Sequence, residues 1–148
     1  MGTVFAVPTA VVVLLSTAGC GIGVLDKAEV SVDGRSFRVE VARTGRQQQQ
    51  GLSERSTVPA GSGMLFDFSG RRVQKVWMAD TLVPLDAAWI SDDAVVAIRT
   101  LKPCGRAEAS DCPTWISPQP VDALLEVPAG ALDGVPIGAR VRISEQHG

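Results

Sequence analysis

The sequence predicts a mainly β fold: a compact β-sandwich-like or barrel-like domain of about seven or eight short strands with one short helix. Three observations predict it. Apolar and polar residues alternate in short runs, Gly and Pro turn signals separate those runs at fairly regular spacing, and no repeat or linker divides residues 26–148. With 148 residues, 45% of them hydrophobic and 20% charged, the chain has the size and balance of one globular domain.

Residues 1–25 stand apart from that domain. No charged side chain precedes Asp26, and residues 4–15 form an apolar run broken only by Pro8 and Thr9. Small residues follow, ending in Thr17-Ala18-Gly19-Cys20. An apolar core of this length followed by small residues is the layout of a secretory signal peptide. The run is too short for a spanning helix, which needs about 20 apolar residues. Thr-Ala-Gly-Cys resembles a bacterial lipobox, although Thr17 stands where leucine is usual, and Cys20 is the expected lipidation site. Two acyl chains there would anchor the protein stably. A plain apolar leader or a buried core helix are the other readings. The expected location is outside the cytoplasm, on the outer face of the cell membrane or in the periplasm, with the membrane as partner through the lipid.

The strands follow in order. Val30 and Val32 lead into Asp33-Gly34, a strong hairpin signal, and Phe37, Val39 and Val41 then alternate with Arg38 and Glu40. Thr44 is placed to cap a short helix running through Arg46, the four glutamines 47–50, Leu52 and Glu54. The glutamine tract reads as a solvated helix face. Gly61 and Gly63 mark a loop before Met64-Leu65-Phe66-Asp67-Phe68, with Gly63 a backbone necessity at the strand entry. Further strand-like runs cover residues 73–78, 85–90, 94–99, 123–127 and 140–144.

Charge and residue inventory exclude several function classes. Fourteen basic against sixteen acidic residues give a net charge of −2, so a broad basic footprint for nucleic acid is absent. The single histidine, His147, is next to last, which argues against Ser-His-Asp and Cys-His catalysis and against His-rich zinc sites. No phosphate-cradling or dinucleotide motif occurs, and neither a cofactor nor a metal is expected. With Cys20 assigned to lipid, Cys104 and Cys112 remain as an even pair, expected to form a disulfide in an oxidising compartment. Two free thiols are the plainer alternative; a redox pair is usually separated by two residues, not seven.

Five ordered blocks carry a resemblance: Gly51-Leu52 with Arg55, Gly63-Met64-Leu65-Phe66, Trp77-Met78-Ala79-Asp80-Thr81, Pro84-Leu85-Asp86, and Leu125-Glu126-Val127-Pro128-Ala129-Gly130. From about residue 30 to 144 the chain resembles the DUF192 family of uncharacterised prokaryotic exported or envelope-associated domains. The resemblance implies a compact sandwich-like or barrel-like fold with a short helix. It also implies a cysteine pair at positions 104 and 112, and it implies no activity. The family usually has Lys-Asn-Thr where this chain has Ala79-Asp80-Thr81.

The chemistry open to these blocks lies in Asp80, Asp86 and Glu126, with Arg55 as charge partner and Trp77 as an apolar ligand floor. Two carboxylates in a groove can share acid and base duties on a glycan, and an oxygen cluster can hold a hard cation. The plain structural alternative pairs Arg55 with Asp86 or Glu126 and makes Trp77 a core residue. Trp115 is a further candidate for the rim. The expected function is a binding module for a small ligand or envelope partner. A carboxylate-dependent hydrolase and a purely structural envelope protein are the alternatives.

Overall fold

In the computed structural model, residues 23–105 and 108–146 are described; Cys20 and His147 lie outside them. Nine strands and one short α-helix follow the order β1 Asp26–Val32, β2 Arg35–Ala42, α1 Gly45–Gln50, β3 Ser62–Arg72, β4 Lys75–Trp77, β5 Leu85–Ser91, β6 Ala94–Leu101, β7 Thr114–Ile116, β8 Val121–Pro128 and β9 Val141–Gln146. Seven strands form one sheet in the order β6-β5-β8-β3-β2-β1-β9, and β4 pairs with β7 in a separate ribbon. The mainly β expectation holds.

Local chemistry sets the connections. Asp33 and Gly34 both take positive φ, 47° and 75°, as a two-residue hairpin between right-twisted strands requires. Asp92 and Asp93 do the same between β5 and β6, at 51° and 57°. β2 and β3 run parallel, so the chain must cross over between them, and α1 lies in that crossover. Thr44 caps α1 with a complete capping box: its hydroxyl accepts from the Gln47 N–H and the Gln47 side chain accepts from the Thr44 N–H. The helix ends at Gly51, earlier than the expected run through Glu54, because Gly51 turns the chain at φ 47° and sends Leu52 into the core.

The sheet is curled. The edge strand β6 meets the segment entering β9 through an Ala94–Arg140 bridge, and the Val141 N–H donates to Asp93 at 2.8 Å. One apolar cluster fills the enclosed face: Val30, Phe37, Val39, Leu65, Ile90, Leu125 and Val127 belong to it, plugged by Leu132 and Val135 from the turn after β8. A second cluster lies on the opposite face: Leu52, Met64, Phe66, Met78, Leu85, Ala87, Trp89 and Leu124. The α1 crossover and the β4–β7 ribbon cover it, with Val76 and Trp115 packed inward. Trp115 is therefore a packing residue of the ribbon's underside, not a rim residue.

Cys104 and Cys112 are disulfide-bonded with Cα atoms 5.7 Å apart. The bridge closes the loop between β6 and β7 and fixes the entry to the ribbon. Closing a loop of that size restricts the unfolded chain by roughly 2.6 kcal/mol in the chain-entropy account. Arg43 gathers Asp26, Asp67 and Glu145, tying β1, β3 and β9 together at the surface. No helix among the described residues is long and apolar enough to cross a membrane.

Candidate functional site

The central strand β8 is buried on both faces, and its residues alternate between the two apolar clusters. Register decides where the carboxylates go. Asp86 faces Val127, and Ala87 faces Glu126, so Asp86 and Glu126 point to opposite sides of the sheet. The expected acidic cluster does not form. Among the described residues, no group of three or more His, Cys, Asp or Glu side chains converges as a metal would need.

Asp86 is 1% exposed and fully employed on the enclosed side. It accepts from the Thr100 hydroxyl at 2.7 Å and from the Leu132 N–H at 3.0 Å. Those bonds pin the turn that plugs the core. Arg55 is elsewhere again. It pairs with Glu40 at 2.5 Å, not with Asp86 or Glu126, beside a hollow at the start of β3. The glutamate that alternates outward on β2 reaches it first, which spacing along the chain does not reveal.

Glu126 is different. It is 4% exposed, and its cross-strand neighbours are Met64 and Ala87, neither of which carries a side-chain donor. Its carboxyl makes no hydrogen bond or ion pair among the described residues, yet no buried polar side-chain atom is sealed without a partner. The carboxyl therefore opens onto the cavity that it lines. Burial alone pushes it up from the usual 4.5 to about 8, so at neutral pH it is mostly protonated.

That cavity, about 430 Å³, lies between α1, β3 and the β4–β7 ribbon. Phe66, Phe68 and Trp77 supply aromatic walls, and Thr81 and Thr114 supply hydroxyls. Trp77 is 47% exposed, so it is a rim residue and not core; the core tryptophan is Trp89. Gln48, Gln49 and Gln50 also line the cavity; none of them is buried, so the tract keeps the solvated face expected of it. Gln48 is held there by donating to the Asp67 carbonyl at 2.9 Å. Its sequence signal was the capped helix next to a Gly-Leu block, but the direction of the helix face depends on the crossover.

Asp80 lies beyond Trp77, in an adjoining hollow with Arg46, Gln49, Gln50 and Glu54. Its φ is 55°, a left-handed conformation that Asn and Asp adopt more readily than other side chains. Its carbonyl accepts from the Glu54 N–H at 2.7 Å, joining the segment before β5 to the end of the α1 crossover. Backbone geometry thus suits an Asp at position 80.

Gly63 shows how tightly β3 and β8 approach. A Cβ on it would lie 2.1 Å from the Glu126 carbonyl oxygen and 2.9 Å from a Val127 methyl. The glycine needs no unusual φ; it needs the missing side chain. Through it the Gly63-Met64-Leu65-Phe66 and Leu125-Glu126-Val127-Pro128 segments pack side by side.

Comparison with known proteins agrees with this architecture. A crystal structure described as that of a "putative transcription regulator" from Sinorhizobium meliloti 1021 superposes with a TM-score of 0.72 at 32% identity, over 82% of this chain and 97% of that one. A protein of unknown function from Novosphingobium aromaticivorans DSM 12444 gives 0.69 at 28% identity, over 96% and 99%. No curated protein matches. The profile of DUF192, described as "Uncharacterized ACR", matches residues 28–143, and the chain belongs to that family.

Proposed function

We propose that this protein is an exported, lipid-anchored binding module that holds a small ligand in the cavity floored by Glu126 and rimmed by Trp77. The observation that carries the reading is the Glu126 carboxyl, almost wholly buried, without a partner among the described residues, and open to a cavity of small-molecule size. A carboxyl that no described side chain satisfies and that faces a cavity fits a group that waits for a ligand.

Export and anchoring are supported by the apolar leader ending at Cys20 and by the disulfide between Cys104 and Cys112. The alternative of a two-carboxylate glycan hydrolase is disfavoured, because the sheet separates Asp86 from Glu126 and leaves one carboxyl in the cavity. The neighbour's description as a regulator of transcription finds no support in this chain's charge of −2, and both Arg43 and Arg71 are tied up in ion pairs.

Native mass spectrometry of the full chain, purified gently from the envelope fraction, tests the proposal. The expected result is an extra mass on the wild type that is lost in Glu126→Gln and Trp77→Ala. Identical unliganded masses in all three would overturn it.

A further inference from the structure

We infer that the ligand of this cavity is a small organic ammonium, its positive charge set against the Glu126 carboxylate and its alkyl groups against Phe66, Phe68 and Trp77. This inference rests on the ligand-binding reading above and specifies its chemistry.

Three features of the cavity point to a cation. First, its floor holds an acceptor without a donor: Glu126 receives nothing from Met64, Ala87 or any other described side chain. An apolar ligand would leave that carboxyl unpartnered in a drier site, which is costly, whereas an ammonium pairs with it once its proton has left. Second, three aromatic rings line the same space, and the negative faces of aromatic rings attract cations, more strongly where water is excluded. Phe66 is buried and Trp77 half-exposed, so the aromatic lining runs from the interior to the mouth. Third, apart from Lys75 the remaining lining is uncharged, chiefly the glutamine amides and the threonine hydroxyls. Lys75 on β4 is the one other titratable residue of the lining, and it is exposed. Arg46, Glu54 and Asp80 belong to the adjoining hollow.

The charge state follows from the site. An ammonium must displace the proton of Glu126, which otherwise leaves at about 8, so binding is coupled to proton release. The ionised fraction, and with it the affinity for a permanent cation, rises about tenfold between pH 7 and pH 9.

Isothermal titration of the full-length protein with choline and with its neutral isostere 3,3-dimethylbutan-1-ol tests the inference, alongside identification of any mass carried from the envelope. Choline is expected to bind at least tenfold more tightly than the isostere and to gain about tenfold from pH 7 to pH 9. Glu126→Gln is expected to remove both differences while circular dichroism shows the fold intact, and Trp77→Ala to weaken choline about tenfold. If choline fails but the carried mass proves to be an amine lost in Glu126→Gln, the inference also stands. Equal binding of choline and isostere, indifferent to Glu126→Gln, overturns the ammonium while leaving a small-ligand cavity. A carried neutral molecule does the same. No binding together with a clean unliganded mass overturns both readings.

Discussion

Glu126 and Asp86 are both nearly wholly buried carboxylic acids on adjacent strands, and their surroundings give them opposite tasks. Asp86 has two donors and a fixed geometry, so its work is structural. Replacing it by alanine strands the Leu132 N–H and the Thr100 hydroxyl and frees the turn that carries Leu132 and Val135 into the core. Asp86→Ala is expected to lower the unfolding free energy by about 2–4 kcal/mol, the range for breaking charged hydrogen bonds and leaving buried partners unsatisfied. Chemical denaturation measures this. Ligand retention at low temperature should be unchanged, since Asp86 lies on the other side of the sheet. A substitution at Asp86 that abolished binding without loss of stability would place the site wrongly.

At the scale of elements, the join between β3 and β8 sets the floor of the cavity. Gly63→Ala drives a methyl group into the Glu126 carbonyl, and the backbone must shift because a carbonyl in a central strand cannot rotate away. A loss of about 3 kcal/mol is expected, with the amide resonances of Glu126 and Val127 displaced most. A neutral substitution would show that the two strands are further apart than described. The same scale explains what the sequence reveals and what it hides. The Asp33-Gly34 hairpin and the Thr44 cap are legible because each is settled within four residues. The β4–β7 ribbon is legible only in part: β4 falls within the strand-like run 73–78, but the three-residue β7 has no pattern of its own, and the two strands, with 36 residues between them, pair only over an already formed core. The candidate site was half legible. Trp77 and Glu126 stand in the sequence blocks that point to a site and do share the cavity, whereas Asp86 stands in an equally suggestive block and faces the other side of the sheet. Which side of a sheet a residue faces is a matter of parity and register between strands, and one step of register reverses it.

For the whole molecule, a carboxyl without a partner among the described residues, on an inner strand of a seven-stranded sheet, makes stability depend on pH in a particular direction. Below about 4.5, folded and unfolded chains both hold the Glu126 proton and the residue contributes no pH dependence. Between 4.5 and about 8 the unfolded chain releases the proton and the folded chain keeps it, so the unfolded state gains and stability falls as pH rises. Above about 8 both states are ionised and the loss is complete. At about 1.36 kcal/mol for each pH unit, the loss is on the order of 5 kcal/mol, a large part of the stability of an ordinary domain. The disulfide and the two apolar clusters offset it. Such a loss is tolerable in a protein whose ligand restores it, since whatever binds the folded state alone stabilises that state.

The most direct measurement is the unfolding free energy of the ligand-free wild type and of Glu126→Gln from pH 4.5 to pH 9. Glutamine stands for the protonated acid at every pH. The account predicts that the two proteins are close in stability at pH 4.5 and that the wild type falls progressively below the variant up to about pH 8, after which the gap stays constant. A gap that does not change with pH would show that Glu126 titrates alike in both states, and would contradict a buried carboxyl held open for a ligand.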